Sequence, residues 1–211
     1  MKAYIQLLIS MYADHRDPFL ENALANVDRQ ILKLTNLISD MLDISKIKSG
    51  NFFLHKEDFN INSLITEVIE EITHVTPKYQ IYFSKGADIN FYGDRERIGQ
   101  VISNLLTNAI KYSPDITPIN VSSVIDNNEI VVSVEDSGIG INKIDQEKIF
   151  SRFYRVEGKN EKTYPGFGIG LFICQDIIQR HNGTIGVKSE PRKGSVFYFR
   201  LPVNQAKEES Q

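Results

Sequence analysis

The stretch Val131-Val132-Ser133-Val134-Glu135-Asp136-Ser137-Gly138-Ile139-Gly140-Ile141 leaves the chain few choices of local structure. Apolar β-branched residues alternate toward an acid, as a half-buried strand requires, and two closely spaced glycines follow at once. A strand ending this way sets a carboxylate, Asp136, beside backbone that can approach a ligand closely. Gly138 and Gly140 have no Cβ in the way and can adopt positive φ. Asp136 is therefore expected at the floor of a pocket. Asp-Ser-Gly is also an ordinary turn sequence, so the stretch alone leaves both readings open.

The rest of the chain has room for such a pocket. Its 211 residues, 41% of them hydrophobic, suffice for one core domain and an appendage. A net charge of −3 leaves no basic footprint for nucleic acid or an anionic membrane. The single cysteine, Cys174, lies in an apolar helical pattern, where it can form no internal disulfide, and a reducing cytoplasmic compartment fits. No apolar run reaches membrane-spanning length, Met1 begins no signal-peptide pattern, and Asn182-Gly183-Thr184 matches a glycosylation sequon only by chance.

The spacing predicts a helix over Ala3–Tyr12, a polar break at Ala13-Asp14-His15-Arg16-Asp17-Pro18, and a second helix from near Pro18. Leu24, Val27, Ile31, Leu34, Ile38 and Met41 form a heptad seam, widened by Leu37, Leu42 and Ile44. So wide a stripe on so long a helix points to two chains pairing in a four-helix bundle; the alternative is packing on its own domain. Ser49-Gly50-Asn51 supplies the C-cap.

Beyond it the character changes. Phe52-Phe53-Leu54 and Phe59 suggest a strand and connection, Asn60–Val75 an amphipathic helix, and Gln80–Ser84 a short strand. Gly93-Asp94 caps a helix over Arg95–Tyr112. Strands are expected at Ile119–Ile125 and Ile130–Glu135 around Asp126-Asn127-Asn128, then a helix over Ile169–His181, then strands at Thr184–Lys188 and Ser195–Leu201. Elements mixed without strict βαβ repetition predict an α+β fold, a two-layer sandwich of one mixed sheet covered by helices, preceded by an antiparallel helical hairpin.

In the helix before the hairpin, Asn104, Asn108 and Lys111 stand at i, i+4 and i+7 and share a face. Two amides and a cation there suit Mg²⁺ and phosphates, although a polar outer face is the usual state of an amphipathic helix. Gly166-Phe167-Gly168-Ile169-Gly170-Leu171 opens the next long helix, where free N–H groups converge for an anion. It is neither a Rossmann fingerprint nor a Walker A loop. Between them lie Ile149–Arg155 and a polar segment, Val156–Tyr164, suited to a mobile lid. Arg155 is the candidate for reaching a γ-phosphate; a solvated arginine is the alternative.

Five motifs now stand in order. Asn104-Leu-Leu-Thr-Asn108-Ala-Ile-Lys111-Tyr112-Ser113, Asp136-Ser-Gly138-Ile-Gly140-Ile, Phe150-Ser-Arg-Phe-Tyr-Arg155, Gly166-Phe-Gly168-Ile-Gly170-Leu171 and Gly194-Ser-Val-Phe resemble the N box, first glycine box, F box, second glycine box and terminal glycine motif of sensor histidine kinases. The resemblance implies a partial dimerisation and histidine-phosphotransfer hairpin at 1–50, with Asp43–Gly50 similar to its ending. It implies a catalytic ATP-binding domain of the Bergerat fold at 51–204; residues 205–211 form a frayed tail.

It further implies that Asp136 accepts a hydrogen bond from the adenine amino group, selecting ATP over GTP. Asn108 would hold Mg²⁺, Asn104 would support metal and phosphate, Lys111 would contact phosphate, Tyr112 would pack by the base or ribose, and Arg155 would orient the γ-phosphate. Gly138, Gly140, Gly166, Gly168, Gly170 and Leu171 would complete the nucleotide site. Phosphoryl transfer depends mainly on positioning and charge neutralisation, which these residue types can provide. The implied partners are a response-regulator receiver domain and a second copy of the chain, in a cytoplasmic portion of a parent protein with or without a membrane anchor.

Two departures qualify this. The family's phosphoacceptor box is absent and is expected just upstream of Met1; His15, His55, His74 and His181 read as structural or surface groups, His181 at a helix C-terminus where a cation suits the dipole. The chain is thus expected to bind ATP but not to phosphorylate itself. Phe167 also replaces a small hydroxyl residue. Rival readings are a gyrase- or chaperone-type ATPase and a non-catalytic regulator acting through the hairpin. The first is disfavoured because such ATPases place a glutamate where this chain has Asn104, and an amide cannot act as a general base.

Overall fold

The computed structural model describes residues 18–113, 116–156 and 167–203. The expected first helix Ala3–Tyr12, His15, most of the Val156–Tyr164 segment, Gly166 and the tail lie outside the described residues. The chain divides into two units, Met1–Phe52 and Phe53–Gln211.

The first unit holds α1 (Pro18–Lys48). Its first residue is a proline, whose fixed φ suits a helix start. It stops as its sequence predicts: Gly50 takes φ +72°, and the Asn51 N–H donates to Lys46 O at 3.0 Å. Along the expected seam Val27, Leu34, Ile38 and Met41 are exposed in the single chain.

The second unit runs β1 (Glu57–Asn60), α2 (Ile61–Val75), β2 (Ile81–Ser84), β3 (Asn90–Gly93), α3 (Arg95–Tyr112), β4 (Ile119–Asp126), β5 (Glu129–Asp136), α4 (Lys143–Gln146), α5 (Gly170–Arg180), β6 (Thr184–Glu190) and β7 (Gly194–Pro202). Five strands form a sheet in the order β2-β4-β5-β7-β6, while β1 and β3 pair separately. Within the large sheet β2 runs parallel to β4 and the other pairs are antiparallel. This is the expected mixed sheet. One face is apolar and buried, with Ile119, Val121, Ile130, Val132, Val134, Phe197, Phe199 and Leu201 inward. α3 packs against both α2 and α5 and reaches β4 and β5, so the helices form the second layer. Its buried Ile98, Val101, Ile102, Leu105 and Leu106 each contribute about 1.5–3 kcal/mol by leaving water.

Local chemistry fixes the boundaries. Asn60 accepts the Ser63 N–H and Asp94 the Arg97 N–H, both at 3.0 Å, capping α2 and α3. Asn127 and Asn128 take φ of 50° and 64°, the left-handed pair of a two-residue hairpin turn that registers β4 on β5. One buried polar link crosses the layers: the Ser123 hydroxyl donates to Asn62 Oδ1 at 2.6 Å, and Asn62 donates to Ala87 O at 3.1 Å.

The structure departs from the sequence reading at three points. Phe52–Leu54 is not a strand; Phe52 is buried, Phe53 is exposed, and the strand begins at Glu57. β3 is absent from the sequence reading because its four residues form a strand only by pairing with β1, Phe91 opposite Phe59. His181 is the structural group rather than the surface one, and it is not a cation: it is fully buried, and desolvation holds its pKa below the usual imidazole value.

Candidate functional site

The alternation that buries Ile130, Val132 and Val134 places Asp136, the last residue of β5, on the same inward face, 5% exposed. Desolvation raises its carboxyl pKa above the usual range, the N–H groups of Gly138 and Ser195 pull it back, and the Glu135 charge adds to the rise. Asp136 Oδ1 accepts the Gly138 N–H at 2.7 Å. The aspartate thus holds the start of the loop that follows it.

That loop is wedged on both sides. A Cβ on Gly138 would stand 2.5 Å from Tyr112 O and 2.7 Å from Asp136 Oδ1, and the next amide, Ile139 N–H, donates to Tyr112 O at 3.2 Å. Gly140 takes φ +66°, and a Cβ there would lie 1.9 Å from Glu190 O. Only glycine fits this approach to the β6–β7 turn. From the same turn the Arg192 N–H donates to Ile139 O at 2.7 Å.

α3 carries Asn104, Asn108, Lys111 and Tyr112, all half-buried, with Lys111 Nζ 4.7 Å from the centre of the Tyr112 ring. The N-terminus of α5 meets the first of them: a Cβ on Gly170 would stand 2.6 Å from Asn104 Oδ1 and 2.7 Å from Nδ2. Among the described residues no side chain caps this end of α5, which leaves its first-turn amides suited to an anion. Gly168, at φ +68°, abuts Tyr154 O, and its carbonyl accepts the Phe153 N–H at 2.9 Å. Tyr154 in turn donates its hydroxyl to Asp145 Oδ1 at 2.7 Å. Arg155 and Leu171 are half-buried.

The structure therefore joins Asp136, Gly138 and Tyr112 in one cluster and Asn104 with Gly170 in another, along a single helix, α3. Gly166 lies outside the described residues. Among these residues no three His, Cys, Asp or Glu side chains group to hold a metal ion. The donors on α3 are amide oxygens, which suit Mg²⁺ taking most of its shell from phosphate and water.

Sequence reasoning gave no place to Ser189 or Gln146, and held Ser195 only as part of the motif Gly194-Ser-Val-Phe. Ser195 lies directly opposite Asp136 in the β5–β7 register and is 6% exposed; Ser189 Oγ is 3.0 Å from Ser195 Oγ. The signal for Ser195 was its place on the inward side of an alternating strand, where Phe197 and Phe199 follow.

The profile of the family described as histidine kinase-, DNA gyrase B- and HSP90-like ATPases matches residues 93–205, from the strand before α3 to the end of the sheet. The chain belongs to this family. Similar members of it include sensor histidine kinases. The adaptive-response sensory kinase SasA of Synechocystis sp. is 38% identical over 211 residues, covering 94% of this chain and 53% of that protein. The sensor histidine kinase WalK of Bacillus subtilis is 29% identical over 213 residues, covering 99% of this chain and 35% of that protein. A solved catalytic domain of the histidine kinase ThkA is 33% identical with a TM-score of 0.59, covering 70% of this chain and 97% of the other. The chain thus contains a histidine-kinase-type catalytic ATP-binding domain, and it spans about a third to a half of the length of these two curated relatives. Among the described residues no helix is long and apolar enough to cross a membrane.

Proposed function

We propose that this chain is the catalytic portion of a two-component sensor histidine kinase, which binds ATP with Mg²⁺ and presents the γ-phosphate to a histidine for relay to a response-regulator aspartate. The observation that carries this reading is the buried Asp136 carboxylate, paired to glycine-loop backbone at the end of β5. An acceptor in that position matches the amino group of adenine, whereas guanine would oppose it with a carbonyl oxygen.

In this reading residues 51–204 form the catalytic domain and 1–50 part of a hairpin that pairs with a second copy. Asn108 holds Mg²⁺, with Asn104 beside it at the start of α5. The metal, when bound, neutralises phosphate charge. Lys111 and Arg155 orient the phosphates, Tyr112 flanks the base or ribose, and the backbone at Gly138, Gly140, Gly166, Gly168, Gly170 and Leu171 lines the nucleotide. No carboxylate stands at Asn104 to activate water, so the phosphate is kept for transfer.

Calorimetric titration of ATP and GTP with Mg²⁺ into the chain and into Asp136→Asn tests this. Loss of one buried charge-assisted hydrogen bond costs about 1.5–3 kcal/mol, roughly ten- to a hundredfold in affinity. ATP binding without GTP binding, weakened by the substitution, supports the reading; no binding by the intact chain overturns it. Phosphate transfer in trans to a separate hairpin carrying an acceptor histidine tests the chemistry.

A further inference from the structure

The loop Gly138–Ile141 is fastened from behind by one serine. Ser189 Oγ accepts the Ile141 N–H at 2.8 Å, donates to Gly194 O at 2.7 Å, and lies 3.0 Å from Ser195 Oγ. A hydroxyl has a single proton. With that of Ser189 directed at Gly194 O, the Ser189–Ser195 contact is donated by Ser195. The proton of Ser195 is thereby committed, and its hydroxyl oxygen can only accept from anything else.

This matters because of where Ser195 stands. It is paired across the strands with Asp136, and its own N–H supports the Asp136 carboxylate. Ser189 therefore sets both the position of the glycine loop and the polarity of the hydroxyl beside Asp136. Gln146 of α4 closes the same link, donating from Nε2 to Ile141 O and to Ser189 O, both at 2.8 Å. α4 is held in turn by its Asn142 cap, whose side chain accepts the Asp145 N–H at 2.9 Å.

We propose that Ser189, braced by Gln146, is a positioning residue for nucleotide selection: it fixes the glycine loop and turns Ser195 into an acceptor beside Asp136, so that the site favours a purine presenting an amino group over one presenting a carbonyl. This rests on the proposed ATP site. Ser189 itself touches no substrate; it acts through Ser195 and the Ile141 amide.

The test is calorimetric titration of ATP and GTP, each with Mg²⁺, into the intact chain, Ser189→Ala, Ser189→Thr and Gln146→Ala. Ser189→Ala frees the Ser195 proton to rotate and donate, so ATP affinity falls about tenfold and the ATP-to-GTP ratio narrows by a similar factor, while Ser189→Thr retains both. A residue of merely structural importance would weaken the fold without altering that ratio. If Ser189→Ala does not fold, Gln146→Ala decides, since it loosens the same loop from α4 and should narrow the ratio in the same direction. An unchanged ATP-to-GTP ratio in the variants, with the intact chain selecting ATP, overturns the positioning role alone. Failure of the intact chain to bind ATP overturns the site on which it rests.

Discussion

The imidazole of His181 accepts the backbone N–H of Asp94 through Nε2 at 2.9 Å. Its Nδ1 stands 2.7 Å from Ile177 O, and a carbonyl can only accept, so the ring is neutral with the proton on Nδ1. This bond ties the end of α5 to the cap of α3. Asp94 serves three ends: its Oδ1 takes the Arg97 N–H, its Oδ2 takes the His55 N–H at 2.8 Å, and its own N–H enters His181. The two helices that carry the Asn104–Gly170 junction are thus fixed at their opposite ends by one imidazole.

The fold should therefore weaken in mild acid. Burial lowers the His181 pKa below 6.5, the Ile177 carbonyl and the Asp94 charge oppose that, and Lys56 adds to it. Above 6.5 neither state carries the proton, and this contribution to stability is complete. As pH falls below 6.5 the unfolded chain binds a proton that the native chain refuses, and stability is lost. Urea unfolding followed from about pH 8 to about pH 5 should show the midpoint falling, with a shallower fall in His181→Gln.

Asp136 has the opposite sign. Its native pKa is raised, so its contribution favours the fold below the ordinary value of 3.8 and is lost as pH rises through the raised native value. At neutral pH the buried charge costs stability. Asp136→Asn should unfold at higher urea than the intact chain near neutrality, by an amount that shrinks as pH is lowered, even as its affinity for ATP falls. A variant less stable at neutral pH and equally so in acid would contradict this.

Gly170→Ala separates the site from the fold. Alanine favours helix by about 1 kcal/mol over glycine, while its Cβ would press on the Asn104 amide at 2.6 Å. A side-chain end can swing away, so stability should change by less than about 1 kcal/mol while affinity for ATP with Mg²⁺ falls about tenfold. Parallel urea titration and calorimetry measure both.

The seam of α1 leads to an assembly test. Leu34 and Ile38 are 57% and 53% exposed in the single chain. If this stripe is the pairing face, Leu34→Glu with Ile38→Glu should convert a dimer to a monomer in sedimentation equilibrium and leave ATP affinity unchanged. A monomeric intact chain would contradict the pairing.

Much of this protein was determined by local sequence. Asp94 before Arg95 and Asn60 before Ile61 mark helix starts because their carboxylate and amide oxygens satisfy free N–H groups wherever such helices begin. Asn127-Asn128 closes its hairpin because asparagine tolerates the left-handed conformation the turn demands. The inward placement of Asp136 follows from period-two alternation alone. What only the tertiary structure decided are relations between residues distant in the chain. The strand at Asn90–Gly93 exists because Glu57–Asn60 pairs with it. His181 is neutral because burial there makes a charge costly and Asp94, far away in sequence, supplies a donor. Ser189 and Ser195 gain their roles from the pairing of β6 with β7 and of β7 with β5, which sets two ordinary serines behind the glycine loop. Local patterns select torsions and faces, whereas hydrogen-bond partners and desolvation depend on what the folded chain brings alongside.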